Sequence, residues 1–171
     1  MFREILSPPI TLAGHDFAVV NERSVRASAG LMLLFGLYGW FELYFTGDQS
    51  TLRTFAILFI FELAIRITLG LRWAPLLLLG AFLVRKQSAE WSELRPKETA
   101  WMIGLVYASA ACFAVGWIPG WPNWAMLASC GVCLALLFFE SAIGFCLGCW
   151  LHSRFAKTPP KLCPSGACKV A

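Results

Sequence analysis

The stretch LRTFAILFIFELAIRITLGL, residues 52 to 71, decides the fold class. It is almost continuously apolar over about 20 residues, the length that a helix needs to cross a hydrocarbon core of roughly 30 Å. It lacks the two-residue alternation of a strand in a membrane barrel. Two ionisable residues, Glu62 and Arg66, lie in its interior. The stretch therefore predicts a transmembrane helix that carries charge.

Three further stretches have the same character, and we interpret them as spans: Ala27 to Phe45, Thr99 to Ile118, and Trp124 to about Leu151. Over the whole chain of 171 residues, 58% are hydrophobic and 14% are charged, against about half and about a quarter in soluble domains. This composition excludes a secreted disulfide scaffold, a disordered tail and a soluble enzyme domain.

The predicted fold is an all-α membrane protein whose four transmembrane helices form two parallel-repeat helical hairpins. A fifth apolar run, Leu76 to Val84, is too short to span and follows Pro75, so we expect a short interfacial helix there. The predicted segments are a cytoplasmic N-terminal segment (1–26), a first hairpin (27–73), a cytoplasmic loop with the interfacial helix (74–98), a second hairpin (99–152) and a cytoplasmic tail with cysteines (153–171).

The basic residues predict the orientation. They precede the first span, separate the second from the third and follow the fourth, whereas the two remaining loops hold none. The positive-inside rule then places both termini of this multi-pass protein in the cytoplasm. The net charge of +4 is scattered, with no basic stripe. We therefore expect the lipid bilayer and not a nucleic acid as a partner.

An internal repeat links the two hairpins. Residues 61–70 (FELAIRITLG) align with residues 139–148 (FESAIGFCLG) with six of ten positions identical, and Gly39-Trp40 matches Gly116-Trp117 upstream. Two spans per half keep the halves parallel, related by a pseudo-two-fold axis along the membrane normal. Such a molecule is either complete as a monomer or forms a homodimer.

The repeat places Glu62 and Glu140 at equivalent depths near the midplane, with Arg66 one turn from Glu62 and Gly144 at the corresponding position of the second half. We expect the two carboxylates to share the Arg66 guanidinium. One interpretation is a buried ion network that fixes how the hairpins pack. The other is a substrate or ion site, for a proton or an anion, because ionisable residues inside a membrane are costly and often functional.

All seven cysteines follow residue 111. We interpret Cys112, Cys130 and Cys133 as small core residues. Cys146 and Cys149 are three residues apart and His152 follows one turn later, so their side chains could share zinc or copper(I), or carry a persulfide sulfur. The pair lies near the carboxyl end of span four, where the helix dipole disfavours a thiolate.

The tail contains Cys163 and Cys168, within the sequence Cys-Pro-Ser-Gly-Ala-Cys. These thiols could complete a four-thiolate metal site with Cys146 and Cys149. The alternative is a tail with two reactive thiols that exchange with the membrane pair, in which Pro159-Pro160 acts as a semi-rigid spacer.

Three motifs in this order resemble the bacterial membrane family known as domain of unknown function 4395: residues 21–26 (NERSVR), residues 71–75 (LRWAP) and residues 145–149 (FCLGC). The resemblance covers roughly residues 17 to 152. Members typically have Asp-Pro-Arg where this chain has Asn21-Glu22-Arg23. The resemblance implies thiol or sulfur chemistry at Cys146 and Cys149, with thioredoxin-like or sulfurtransferase proteins as partners.

Three functions are compatible with these features. The first is a small inner-membrane thiol protein that handles sulfur or reducing equivalents through Cys146 and Cys149. The second is a transporter or binder of a soft metal ion or a small sulfur anion, which Arg66 or the thiolates would hold. The third is a membrane subunit with no chemistry of its own. Whether the protein is an enzyme stays open at this level.

Overall fold

The computed structural model describes residues 17–117 and 122–155. Within these ranges the chain is mostly helical, as predicted. The elements, in chain order, are β1 (Val19–Asn21), α1 (Glu22–Thr46), α2 (Ser50–Thr68), α3 (Pro75–Leu83), β2 (Trp91–Glu93), α4 (Leu94–Trp117), α5 (Asn123–Phe138, continued by a π-helical turn over Phe139–Ile143) and α6 (Leu147–Phe155). A 3₁₀ turn at Leu71–Trp73 precedes α3.

The first three predicted spans correspond to α1, α2 and α4, and the predicted short helix corresponds to α3, with Pro75 in its first turn. Two helices of the described residues are long and apolar enough to cross a membrane, Glu22–Thr46 and Asn123–Ile143. The prediction of an unbroken fourth helix from Trp124 to about Leu151 is wrong. That helix ends at Ile143, and a separate helix begins at Leu147.

A two-stranded antiparallel ribbon, absent from the all-helical prediction, precedes the two long helices α1 and α4. Val20 pairs with Ser92 at its centre, flanked by the pairs Val19–Glu93 and Asn21–Trp91. The Asn21 side chain accepts a hydrogen bond from the Arg23 backbone N–H and so caps α1. The ribbon joins the beginnings of the two halves of the chain.

The same order of elements occurs twice: strand, long helix, second helix, short helix. α1 packs against α2, α3 and α5, and α4 packs against α5, α6 and α2. If α1, α2 and α3 are exchanged with α4, α5 and α6, each of these helix–helix contacts maps onto another of them. This is the contact pattern that a two-fold axis through the ribbon produces, and it agrees with the repeat in the sequence.

Each short helix contacts the long helix of its own half through a glycine. A Cβ on Gly80 of α3 would lie 2.8 Å from the backbone nitrogen of Ser28 on α1, and a Cβ on Gly148 of α6 would overlap Ala100 on α4. Since the backbones touch at these points, no larger residue fits. The two contacts fix how closely α3 approaches α1 and α6 approaches α4.

Candidate functional site

The site is built around the break that follows α5. The π-helical turn ends at Gly144, whose φ of 75° is left-handed and favours glycine. The Phe145 N–H donates to the Phe139 carbonyl across 3.0 Å and closes the turn. The Arg26 guanidinium, which comes from α1, donates to the carbonyls of Ser141 and Ala142 and so caps the end of the helix.

Cys146 is the amino-terminal cap of α6. Its carbonyl accepts a hydrogen bond from the Trp150 N–H at 3.0 Å, the first bond of the new helix. Its Sγ accepts a hydrogen bond from the Cys149 backbone N–H at 3.4 Å. The sequence-based placement of this pair near a helix carboxyl end is therefore wrong, because it assumed an unbroken helix. The positive end of the α6 dipole is directed towards Cys146 and favours its thiolate.

The two thiols, which lie beyond the end of α5, differ in acidity. A hydrogen bond from the Cys149 side chain is the largest influence that lowers the pKa of Cys146 below the ordinary 9.0, and the charge of Lys97 and the Cys149 N–H act in the same direction. The same side-chain hydrogen bond, together with burial, raises the pKa of Cys149. Cys146 is therefore the more acidic thiol of the pair.

Lys97 supplies the positive charge at this site, and sequence reasoning missed it. Its Nζ lies 2.8 Å from Oε1 of Glu22 and 3.2 Å from Oε1 of Glu140. Its ammonium group links the beginnings of α1 and α4 to the π-helical turn.

Glu140 thus has a different partner from the one the sequence predicted. Arg66 pairs with Glu62 of its own helix, with Nη2 2.9 Å from Oε1, and donates to the Ser28 hydroxyl at 3.1 Å. The two carboxylates that share one cation are Glu22 and Glu140, and that cation is Lys97. The predicted cluster of Glu62, Arg66 and Glu140 is therefore divided between two ion networks: Glu62 and Arg66 lie within the first half, and Lys97 joins Glu140 of the second half to Glu22 of the first.

Glu62 also holds the amino-terminal end of α3. Its carboxylate accepts hydrogen bonds from the backbone N–H groups of Leu76 and Leu77, at 3.0 and 2.9 Å. In the second half, the corresponding third residue of the short helix, Cys149, donates to the Cys146 sulfur. The amino terminus of the short helix therefore binds a carboxylate in the first half and a thiol sulfur in the second half.

The predicted metal site also included His152, which has a hydrogen-bond partner on α4. The Nδ1 atom of His152 lies 2.9 Å from the Thr99 hydroxyl. In the two described ranges, no group of three or more His, Cys, Asp or Glu side chains could hold a metal ion. The tail thiols Cys163 and Cys168 lie outside the described residues.

The sequence contains a second Cys-x-x-Cys, Cys130 and Cys133, and only the structure distinguishes the two pairs. Both residues lie within α5, where the backbone N–H groups are committed to helical hydrogen bonds. Cys130 and Cys112 line a cavity of about 180 Å³ between α2, α4 and α5. The two cysteine pairs thus have the same spacing but different surroundings, because only Cys146 of these four residues lies at a helix amino terminus.

A larger cavity of about 300 Å³ lies beside the Cys146–Cys149 pair. Cys146, Gly148 and Cys133 line it, and Arg66 and Glu140 are among its few polar residues. Cys146 is 5% exposed, so this cavity is the approach to its sulfur. The arrangement is a buried dithiol, with one activated sulfur, beside an apolar cavity.

Comparison with known proteins gives one match. The model of a family described as a domain of unknown function, number 4395, matches residues 20–157. No curated protein matches the sequence, and no solved structure does. The match includes both halves of the repeat, Lys97 and the Cys146–Cys149 pair. The chain belongs to the family of domain of unknown function 4395.

Proposed function

We propose that this protein is a small integral membrane thiol protein that handles sulfur or reducing equivalents through Cys146 and Cys149. One observation carries the proposal: Cys146 caps the amino terminus of α6, and its sulfur accepts the Cys149 N–H. A helix amino terminus is where a thiolate is most stabilised by backbone groups. The neighbouring ammonium group of Lys97 adds to that stabilisation.

The four long helices are the proposed spans of the bilayer, arranged as two parallel hairpins. Large apolar side chains on their outer faces are exposed, which is costly in water and favourable in lipid. They include Leu34 and Phe45 on α1, Phe61 on α2, Val106 on α4 and Ile143 at the end of α5. All four long helices contribute to this apolar surface, although only α1 and α5 reach the length and hydropathy of a span by themselves.

The orientation follows from which residues share an end of the bundle. The Gln49 side chain, between α1 and α2, donates to the Asn123 side chain at the start of α5, so both charge-poor loops lie at one end. The ribbon, α3 and α6 belong to the other end, together with Arg23, Arg72, Arg85 and Arg95. By the positive-inside rule, this basic end and the Cys146–Cys149 pair face the cytoplasm of a bacterial cell.

The proposed chemistry begins with attack by the Cys146 thiolate on a sulfur of a disulfide substrate. A mixed disulfide forms as the substrate S–S bond breaks, and one half of the substrate leaves as a thiolate. Cys149 then loses its proton and attacks Cys146 Sγ, which releases the other half. The substrate gains two electrons, and the protein dithiol becomes a disulfide that a thioredoxin-like dithiol reduces again.

A persulfide donor enters by the same first step. The Cys146 thiolate attacks the outer sulfur of the donor, the S–S bond of the donor breaks, and the donor leaves as a thiolate. Attack by Cys149 on Cys146 Sγ then releases that sulfur as hydrosulfide and leaves the same protein disulfide. A sulfurtransferase is the class of partner that would supply such a persulfide.

The alternative, transport or binding of an anion, receives less support because Arg66 is already paired with Glu62 and Ser28. A zinc or copper(I) site would need further ligands from outside the described residues, and Cys163 and Cys168 are the thiols available there. The third alternative, a subunit with no chemistry of its own, does not explain why Cys146 has a lowered pKa and lies at a helix amino terminus.

The test is the intact mass of the protein, purified anaerobically, before and after addition of glutathione disulfide or glutathione persulfide. We expect a product lighter by two hydrogens and a Cys146–Cys149 disulfide in the peptide map. Cys149→Ser should stop at a mixed disulfide or a persulfide on Cys146, and Cys146→Ser should not react. Cys130→Ser is the matched control, because it removes the first thiol of the other Cys-x-x-Cys.

Two results would contradict the proposal. One is a wild-type protein whose Cys146 stays unmodified by either reagent while its fold is intact. The other is a Cys130→Ser variant that loses the reaction as completely as Cys146→Ser. A metal adduct that disappears in Cys146→Ser would replace the proposal by the metal-binding alternative.

A further inference from the structure

The cavity beside Cys146 has the lining of a site for a flat apolar molecule. Its volume of about 300 Å³ is at the lower end of the roughly 300–1,000 Å³ of small-molecule sites. The wall is mostly apolar, and it contains five aromatic rings, those of Phe59, Trp101, Tyr107, Phe139 and Phe145. Aromatic walls favour planar ligands, because rings pack on rings in offset or edge-on geometry.

One polar group of this wall lacks a partner. Trp101 is 4% exposed, and its indole Nε1–H has no acceptor among the residues that the structure describes. A buried donor without an acceptor costs free energy, and a ligand oxygen would remove that cost. The Arg66 guanidinium carbon lies 5.3 Å from the centre of the Trp101 ring and holds the ring in place by a cation–π contact.

The cavity, the unpaired donor and the dithiol together define the ligand. The ligand is planar and apolar, it carries an oxygen acceptor, and it lies beside a pair of thiols that can give up two electrons and two protons. We propose, on the basis of the proposed thiol function, that the cavity binds the headgroup of a lipid-soluble quinone, with one carbonyl oxygen accepting the Trp101 Nε1–H. The quinone is the electron acceptor for Cys146 and Cys149.

The reaction balances without a further reactant. The two thiols lose two protons and two electrons and form one S–S bond. The quinone gains the two electrons and two protons, and its two carbonyl oxygens become hydroxyl groups. Cys146, which lines the cavity, is the sulfur that meets the ring, and Cys149 completes the disulfide. A dithiol partner on the basic side then returns the pair to the reduced state.

The experiment uses the full-length protein in detergent, reduced and then desalted under anaerobic conditions. Decylubiquinone is added, its reduction is followed by absorbance, and the remaining thiols are counted. We expect one quinone to be reduced for each Cys146–Cys149 pair, and none in Cys146→Ser or Cys149→Ser. Trp101→Phe keeps the ring and removes the donor. It should raise the quinone concentration for half-maximal rate about tenfold, with the maximal rate little changed.

Trp40→Phe is the matched control. Its indole Nε1–H already donates to the Leu127 carbonyl at 2.9 Å, away from the cavity lining, so the quinone dependence should not change.

The inference is overturned if decylubiquinone leaves the wild-type dithiol reduced while glutathione disulfide oxidises it, and in that case the proposed thiol function stands. If neither reagent oxidises the pair, both proposals fail. Equal behaviour of Trp101→Phe and Trp40→Phe, or a bound phospholipid that quinone does not displace, also overturns the inference.

Discussion

The sulfur of Cys146 accepts the backbone N–H of Cys149, three residues further along and on the first turn of α6. This bond exists because the helix that precedes it ends early. Had α5 continued, the Cys149 N–H would bind the carbonyl four residues earlier, and the sulfur would lie at the negative end of a helix dipole. The break at Gly144 therefore determines the chemistry of the pair.

The first prediction concerns pH. Because the pKa of Cys146 lies below the ordinary 9.0, its thiolate fraction rises at lower pH than that of an ordinary cysteine. The rate of alkylation of Cys146 by iodoacetamide should therefore increase with pH and reach half of its plateau value below pH 9.0. Peptide mapping after short pulses measures the rate. A midpoint at or above pH 9.0 would show that the pKa of this thiol is not lowered.

The second prediction tests the break itself. Gly144→Ala puts a side chain at a left-handed residue, which should lower the free energy of unfolding by about 1–2 kcal/mol. The new Cβ would also lie 3.1 Å from Arg26 Nη1 and disturb the cap on α5. Alkylation of Cys146 should slow as a result.

Gly70→Ala is the control for this experiment. Gly70 has a φ of 92°, but a Cβ there meets nothing within 4 Å. This variant should lose at least as much stability as Gly144→Ala, because a φ of 92° with a ψ of 166° is essentially restricted to glycine. It should keep the wild-type alkylation rate of Cys146. If both variants slow the alkylation equally, strain alone is responsible, and the position of Arg26 has no role.

The third prediction concerns the contact between α6 and α4. Gly148→Ala would force α6 away from Ala100, because the added Cβ overlaps that residue. Overpacking of this kind costs about 1–3 kcal/mol, and we expect a lower unfolding midpoint together with slower thiol oxidation. Gly131→Ala is the control, since its nearest contact is at an ordinary 3.7 Å. A Gly148→Ala protein with wild-type stability would contradict this close approach.

The fourth prediction separates the two ion networks. Glu62→Gln removes the charge partner of a buried Arg66, and loss of one partner of a buried pair costs about 3–5 kcal/mol. Glu140→Gln should cost less, because Lys97 keeps Glu22 and the Glu140 side chain is 16% exposed. Unfolding curves in one detergent compare the two variants. An equal loss would contradict the greater dependence of the fold on Glu62.

The fifth prediction tests the orientation. Cysteines are introduced one at a time at two exposed positions, Asp48→Cys between α1 and α2 and Arg85→Cys after α3. An impermeant maleimide added to intact cells should label the first, and it should label the second only after the membrane is opened. Asp48 marks the end of the bundle without basic residues, and Arg85 marks the basic end. The reverse labelling pattern would invert the proposed topology.

The sequence predicted the helices well, because a long apolar run can form few structures other than a helix. The repeat also placed Glu62 and Glu140 at corresponding points of the two halves. The partner of Glu140 could not be found in this way, because Lys97 lies 43 residues earlier on another helix. Only the packing of α4 beside the π-helical turn brings these two side chains together.

The break after α5 was equally hidden from the sequence. The residues on both sides of the break are mostly apolar, and glycine is common in membrane helices. Gly144 therefore does not by itself indicate that the helix ends there. The ribbon of Val19–Asn21 and Trp91–Glu93 has only three residues in each strand, too few for a recognisable alternation. In both places the conformation depends on contacts between the halves, such as that of Arg26 with Ser141.

Arg26 and the Ser141 carbonyl to which it donates are 115 residues apart in the sequence, and this separation has a consequence for biosynthesis. While the ribosome is still making the second half, α1 is complete but its guanidinium has no carbonyl to cap. The turn that ends α5 supplies that carbonyl later in synthesis, and the capped turn then directs Cys146 and Cys149. The environment that lowers the pKa of Cys146 therefore forms only after both halves of the repeat have been made.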